Sequence, residues 1–219
     1  MGLRKEEINR KLLHLFALLM PVGIFYFPKW SIPESVPLGI LAFLFAGSVV
    51  VENLRFRIPS IQKLFLRSVG SMLRDEETNK TTGSTYIIGA ALLCSILFYN
   101  HPHISFIVLT LFILGDAIAA IVGLSIGKIK IGKKSLEGSA ACFLLCMILF
   151  HAVFPFLPGL LESWGGKMPF IISVISSLAI TVFELIPLKI HRKIVINDNL
   201  AVPVIAGYIM LGLSVLISV

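Results

Sequence analysis

Residues 115–139 read GDAIAAIVGLSIGKIKIGKKSLEGS, and this stretch joins the end of an apolar run to a loop rich in lysine and glycine. Asp116 lies inside the apolar part. A carboxylate within a membrane costs several times the thermal energy, so such residues are kept where an ion, a partner group or water compensates the charge. We therefore interpret Asp116 as a functional residue, with a purely structural pairing to a lysine as the alternative.

The composition around this stretch is typical of a membrane protein. Of the 219 residues, 57% are hydrophobic and 14% are charged, and the mean hydropathy is +0.94. A soluble domain does not have this composition. Seven apolar runs are candidates to cross a hydrocarbon layer about 30 Å thick, namely residues 12–27, 36–51, 83–99, 104–124, 140–157, 170–188 and 200–219. The sequence predicts an all-α polytopic integral membrane protein with about seven transmembrane helices, in a single membrane-embedded domain covering residues 1–219.

The basic residues give the predicted orientation. Of the 19 lysines and arginines, 17 fall before the first run or in the loops after the second, fourth and sixth runs, whereas only Lys29 and Lys167 fall in the other loops. Basic residues gather on the cytoplasmic side of membrane proteins. We expect a cytoplasmic N-terminus. The short chain and the lack of an organelle-type leader predict a bacterial or archaeal inner membrane.

The largest polar segment, residues 52–82, is predicted to be a cytoplasmic amphipathic insert. Its apolar residues fall on one helical face and its basic residues lie elsewhere; the apolar ones are Ile61, Leu64, Phe65 and Met72. This pattern suits a helix that lies in the headgroup region, although a simple connector is the alternative. The segment ends in dense charge that includes Lys80, just before the third run.

The loop at residues 125–139 is the candidate nucleotide-binding loop. Small residues recur every four positions before it, at Gly115, Ala119, Gly123 and Gly127, and such a ridge allows two helices to approach closely. Glycines let backbone amides approach an anion, lysines neutralise phosphate charge, and a helix that begins near Gly138 would add its N-terminal amides. The candidate ligands are Lys133, Lys134, Ser135, Glu137, Gly138 and Ser139. The pattern is not the GxxxxGK[ST] phosphate loop, so a soluble nucleotide-binding fold is not implied.

Two further acidic positions fall on the same predicted side of the membrane. Glu184 lies near the end of the sixth run, and Asp198 and Asn199 open the seventh, where either residue is also suited to cap a helix. With Asp116, these carboxylates form a set that suits Mg²⁺, an ion that takes a few carboxylates and keeps its waters. Metal and lysines together would stabilise a transferring phosphoryl group.

Five short motifs, taken together, resemble the family of dolichol kinase, phytol kinase and the CTP-dependent diacylglycerol kinase of fungi. The motifs are spread over nearly the whole chain. They are Arg10-Lys11-x-x-His14, Lys80-x-Thr82-Gly83-x-x-Tyr86, Gly115-Asp116-Ala117-x-Ala119 with Gly123 and Gly127, Lys134-Ser135-x-Glu137-Gly138-Ser139, and Asp198-Asn199-Leu200-x-x-Pro203. The resemblance implies transfer of the γ-phosphate of CTP to the hydroxyl of a membrane lipid, with the nucleotide bound at the cytoplasmic face. It implies no nucleic-acid partner and leaves the lipid alcohol and the oligomeric state open.

Phosphatidate cytidylyltransferases also resemble the central segment. They normally end in His-Gly-Gly followed by an Asp-Arg-x-Asp cluster, whereas this chain has Asp198-Asn199-Leu200 there and no His-Gly-Gly. The kinase is therefore the favoured hypothesis. A transporter in which Asp116 and Glu184 relay protons or bind a cation is the non-enzyme alternative, and the absence of an evident internal repeat does not favour it.

The kinase hypothesis assigns roles to these residues. The lysine loop, with Lys80 and Asn199, would surround Mg²⁺–CTP. Asp116 would help hold the metal, and Asp198 or Glu184 would take the hydroxyl proton or bind a second metal. Arg10, Lys11 and His14 are candidates for contacts with the lipid headgroup or phosphate, with ordinary cytoplasmic anchoring as the alternative.

Overall fold

The computed structural model describes residues 14–73, 75–186, 189–191 and 194–217, so Arg10 and Lys11 lie outside the described residues. The α-helices of this part of the chain are α1 (Leu19–Lys29), α2 (Ser35–Arg57), α3 (Pro59–Val69), α4 (Gly83–Leu97), α5 (Pro102–Ser125), α6 (Leu136–Ile148), α7 (Phe170–Leu185) and α8 (Asp198–Ile217). A π-helical turn (Leu149–Val153) and a 3₁₀ turn (Phe154–Phe156) continue α6. The mostly helical architecture predicted from the sequence is confirmed.

Four helical segments in the described ranges are long and apolar enough to cross a membrane. They are α2, α5, α8 and the continuous segment Leu136–Phe156 that begins with α6. Shorter apolar helices occupy the other three predicted runs, at His14–Lys29, α4 and α7. The seven spans and the cytoplasmic N-terminus stay predictions.

Two short antiparallel hairpins, which the sequence analysis did not predict, interrupt the helices. Strands β1 (Lys130–Ile131) and β2 (Lys134–Ser135) form one, inside the predicted nucleotide-binding loop. Strands β3 (Lys189–His191) and β4 (Ile194–Val195) form the other, between α7 and α8. The turn of the first hairpin contains Gly132 at a φ of 62°, a conformation that glycine adopts without steric cost.

The helix α5 lies at the centre of the core. It packs against α1, α6, α7 and α8, and its first half is fully buried at residues such as Ile107, Leu109 and Leu111. Its second half carries the ridge of small residues, and a Cβ added at Gly123 would lie 2.8 Å from Ser135 Oγ. The predicted close approach is confirmed between α5 and the start of α6, and it fixes Asp116 relative to the hairpin β1–β2.

The polar segment after α2 begins later than the sequence analysis placed it. The helix α2 continues to Arg57, because Glu52 and Arg55 pair across one turn and allow the helix to run on past the apolar residues. Pro59 then occupies the first turn of α3, where proline is well tolerated. We call residues 58–82 the insert. It consists of α3, the 3₁₀ turns Gly70–Met72 and Asp75–Thr78, and the approach to α4.

Candidate functional site

A cavity of about 320 Å³ lies where the insert meets α2, α5 and the first turns of α4 and α8. We call its apolar residues the apolar side; they come from α2 and the insert and include Val51, Phe65, Val69, Met72 and Leu73. The same two elements also bring Ser48, Glu52 and Glu77 to the lining. We call the polar residues from four other segments the polar side; they include His14, Thr82, Ser84, Thr85, Asp116, Asp198 and Asn199. The cavity can therefore receive a molecule that has an apolar part and a polar part.

The structure brings four of the predicted site residues to this cavity, although they are far apart in sequence. His14, Asp116, Asp198 and Asn199 all line it. Asp116 Oδ2 lies 3.5 Å from His14 Nε2, and the side chain of Asp116 is 15% exposed. The carboxylate in the apolar run thus lines the cavity and has His14 as a polar neighbour.

Lys134 joins the other two predicted carboxylates. Its ammonium nitrogen lies 2.8 Å from Glu184 Oε1 and 2.9 Å from Asp198 Oδ2, and it also donates to the backbone carbonyl of Glu184. Burial acts to lower the pKa of Lys134, but the two carboxylates outweigh burial and hold the pKa above its usual value. We call Lys134, Glu184 and Asp198 the Lys134 network.

The members of this network differ in their access to the cavity. The Asp198 side chain is 31% exposed, and that of Glu184 is 4% exposed. Glu184 is not part of the cavity lining. Its Oε2 atom is buried and has no hydrogen-bond partner in the described part of the chain. Asp198 therefore lines the cavity, whereas Glu184 contacts Lys134 from outside the lining.

The remaining residues of the lysine loop lie beside the cavity and not in its lining. Ser135 is buried, and its hydroxyl accepts the Gly138 amide at 3.1 Å, so it caps α6. Glu137 accepts the amides of Lys128 and Ile129 and thereby holds the loop. Gly138 packs against the Ala119 carbonyl. The residues of this group that are exposed to solvent include Lys133.

Lys80 is exposed, and its carbonyl accepts a hydrogen bond from Arg55. The buried ion pair of Arg55 and Glu52 was missed by the sequence analysis, which took Arg55 only as a cytoplasmic basic residue. The spacing of a glutamate and an arginine across one helical turn at the end of an apolar run was the available signal. We call Glu52, Arg55, Thr82 and Thr85 the Arg55 network.

The donor set at the cavity fits Mg²⁺ held together with phosphate. Across residues 14–73, 75–186, 189–191 and 194–217, no group of three or more His, Cys, Asp or Glu side chains is placed to hold a metal ion. Mg²⁺ needs less than this, because it is usually bound by one or two carboxylates, several waters and substrate phosphates. Asp116 and Asp198 supply two carboxylates on one cavity.

Comparisons with known proteins give relatives that match most of the chain. The chain is 31% identical over 178 residues to CTP-dependent diacylglycerol kinase 1 of Schizosaccharomyces pombe, covering 76% of this chain and 77% of the relative. It is 27% identical over 213 residues to the probable chloroplastic phytol kinase of Triticum aestivum, covering 91% of this chain and 65% of the relative. It is also 27% identical over 222 residues to chloroplastic phytol kinase 1 of Arabidopsis thaliana, covering 95% of this chain and 68% of the relative.

The chain spans about two thirds of the length of these two plant relatives. No family profile matches the chain. No solved structure matches it.

Proposed function

Because the chain belongs to the family of CTP-dependent lipid kinases, we propose that it transfers the γ-phosphate of CTP to the hydroxyl of a membrane lipid alcohol. The relatives bear the names of phytol kinases and a diacylglycerol kinase, so the proposed acceptor is an isoprenoid alcohol such as phytol or a polyprenol, or a diacylglycerol. The reaction takes place at the cytoplasmic face, where the predicted orientation puts the basic loops.

The observation that carries this proposal is the two-sided cavity. Val51, Phe65 and Val69 offer an apolar surface to the hydrocarbon chain of a lipid, and Asp116 and Asp198 lie on the polar side. Catalysis of phosphoryl transfer consists mainly of positioning and of electrostatic stabilisation. A lipid hydroxyl and a nucleotide phosphate can meet in such a cavity without exposing the lipid chain to water.

Asp116 would hold Mg²⁺ together with the phosphates of CTP. The ion would neutralise charge on the transferring phosphoryl group. Lys133 and Lys134 add positive charge on the hairpin side, and Asn199 offers an amide at the cavity. His14, which lies beside Asp116, is placed to contact the acceptor hydroxyl or its neighbouring groups.

Asp198 is the proposed proton acceptor. In the structure Lys134 donates to Glu184 and Asp198, so a bound triphosphate competes with Asp198 for the ammonium group. When Lys134 turns to the phosphate, the Asp198 carboxylate loses its partner and can accept the proton of the lipid hydroxyl. The hydroxyl oxygen forms a bond to the γ-phosphorus, the bond from that phosphorus to the bridging oxygen breaks, and CDP leaves. Glu184 keeps Lys134 in place.

The test uses the purified chain with Mg²⁺ and CTP labelled on its γ-phosphate, with phytol, polyprenol, diacylglycerol and phosphatidate offered in separate micelles. Label in a lipid product with one of the three alcohols is the expected result, and it identifies the acceptor. Labelled pyrophosphate released only with phosphatidate would contradict the kinase and support a cytidylyltransferase. Movement of a solute across vesicles without nucleotide binding would support a transporter.

A further inference from the structure

One buried ion pair joins the apolar side of the cavity to its polar side. Arg55 Nε donates to Glu52 Oε2 at 2.6 Å, both residues lie near the end of α2, and Arg55 is 0% exposed. Burying two charges carries a large desolvation cost, and the arrangement persists when the remaining donors and acceptors are also satisfied. The other atoms of the pair therefore need partners, and the insert provides them.

The guanidinium of Arg55 binds the far end of the insert. It donates to the backbone carbonyls of Glu77 at 3.0 Å, of Thr78 at 3.1 Å and of Lys80 at 2.5 Å. It also lies over the ring of Phe65 in α3, 4.7 Å from the ring centroid. One side chain thus contacts both the helix and the final turns of the insert, and it holds them against the end of α2.

The carboxylate of Glu52 binds the start of α4. Its Oε1 atom accepts from the Thr82 amide at 2.9 Å and the Thr82 hydroxyl at 2.8 Å, and from the Thr85 hydroxyl at 3.3 Å. The next residue, Gly83, accepts a hydrogen bond from the Asn199 amide at 3.1 Å. The hydrogen bonds to Thr82 and Gly83, which are adjacent in the chain, therefore connect α2 to Asn199, the residue that follows Asp198.

We infer that Glu52 and Arg55 are positioning residues of the kinase site, which hold the insert over the cavity and fix the distance between its apolar and polar sides. The inference rests on the proposed function, because it takes the cavity as the place where acceptor and nucleotide meet. The pair acts through the residues it binds, Phe65 on the apolar side and Thr82 and Thr85 on the polar side, and Glu52 itself also lines the cavity.

The test compares Arg55→Lys with Arg57→Lys. Lysine at position 55 keeps the charge opposite Glu52, but it lacks the planar fork that reaches the carbonyls and stacks on Phe65. Arg57 is exposed and lies two residues further along the same helix, so it is the matched control. For Arg55→Lys we expect the KM for CTP and for the lipid alcohol to rise at least about fivefold, with kcat within about twofold of wild type. The control should leave both unchanged.

Limited trypsin digestion of the protein in membrane vesicles reports on the position of the insert, and it does not depend on enzymatic activity. Both variants keep the number of trypsin sites, and Lys63 and Arg67 in α3 are exposed. Cleavage within the insert should be faster for Arg55→Lys than for wild type, and unchanged for Arg57→Lys. Equal cleavage of Arg55→Lys and wild type would overturn the inference.

The kinetic and digestion measurements together distinguish a failure of this inference from a failure of the proposed function. Faster cleavage with unchanged KM values would mean that the pair only stabilises the fold, which overturns the positioning role. If the wild-type chain transfers no phosphate, the proposed function is contradicted, and the digestion alone then decides whether the ion pair holds the insert.

Discussion

Two networks of charged residues border the same cavity, and they differ in burial and in how completely their atoms are paired. In the Arg55 network, Arg55 is 0% exposed and both oxygens of Glu52 accept hydrogen bonds. In the Lys134 network, the side chains of Lys134 and Asp198 are 30% and 31% exposed, and Glu184 Oε2 has no hydrogen-bond partner in the described part of the chain.

The difference indicates that the two networks have different functions at the cavity. A fully paired buried network is costly to rearrange, because any movement leaves a charge without a partner. A partly exposed network with competing acceptors changes partners at lower cost when a ligand arrives. We therefore expect the insert side of the cavity to be the fixed side, and the hairpin side, which we call the responsive side, to respond to the nucleotide.

The largest expected effect comes from Asp116→Asn, which removes a charge on the polar side of the cavity, next to the Lys134 network. Asparagine keeps the shape of the side chain but loses the charge that is proposed to hold Mg²⁺ and orient the reacting groups. We expect kcat to fall at least about a thousandfold, the upper end of what one electrostatic group contributes. The melting temperature in detergent should not fall, because a neutral side chain is cheaper to bury in an apolar run than a charged one.

The control for Asp116→Asn is Glu162→Gln, which removes one negative charge from an exposed residue outside the cavity lining. It should leave turnover at the wild-type level. Turnover of Asp116→Asn within tenfold of the wild-type value would show that Asp116 is not part of the catalytic site. The contrast between the two networks would then say nothing about catalysis.

A smaller effect is expected from the two neighbouring lysines. Lys134→Gln should lower kcat/KM for CTP about a hundredfold, the loss expected for a charged partner of the reacting groups. Lys133→Gln should lower it only about threefold, since that side chain is exposed and surface charges are screened. Steady-state kinetics with labelled CTP give both values, and equal losses would contradict the distinction.

Lys134→Gln leaves the buried Glu184 carboxylate without its cation, which alone is destabilising by about 3–5 kcal/mol. The double variant Lys134→Gln with Glu184→Gln removes both charges, so it separates folding from catalysis. We expect it to melt near wild type and to remain as slow as the single lysine variant. Recovery of wild-type kcat/KM in the double variant would show that the lysine serves only to neutralise Glu184.

The raised pKa of Lys134 also predicts how stability depends on pH. The pKa of Lys134 in the folded state is higher than its pKa in the unfolded state, which is about 10.4. The stability that this lysine contributes is fully present when the pH is below the unfolded-state pKa. It is lost as the pH rises through the folded-state pKa. The stability difference between wild type and the double variant should therefore be constant from about pH 6 to 9.

The sequence analysis predicted the features that depend on local pattern. The apolar runs, the ridge of small residues and the start of a helix close to Gly138 all follow from composition and spacing over a few residues. The predicted topology put Asp116, Glu184 and Asp198 on one side of the membrane, but it did not predict that His14 joins Asp116 and Asp198 at one cavity or that Glu184 lies outside the lining.

The features it missed depend on contacts that only the fold creates. Arg55 binds carbonyls 22 to 25 residues away, and a count of basic residues cannot distinguish such an arginine from one that is exposed. The two ion pairs of Lys134 were missed for the same reason, because its position in a loop does not show that Glu184 and Asp198 lie beside it. The β1–β2 hairpin is too short to produce a strand pattern.

The smallest expected effect tests whether Ser135 belongs to the responsive side at all. Its hydroxyl accepts the Gly138 amide, and the side chain is packed against Gly123 and Gly127. Ser135→Ala removes a helix cap and should cost about 1 kcal/mol of stability, seen as a lower melting temperature, while the KM for CTP stays within about twofold of wild type. Ser139→Ala is the matched control, because this buried hydroxyl in the same turn donates to the Ser135 carbonyl at 3.2 Å and caps no amide. A tenfold rise in the KM for CTP in Ser135→Ala alone would place the phosphates against the start of α6 and extend the responsive side of the cavity to the whole lysine loop.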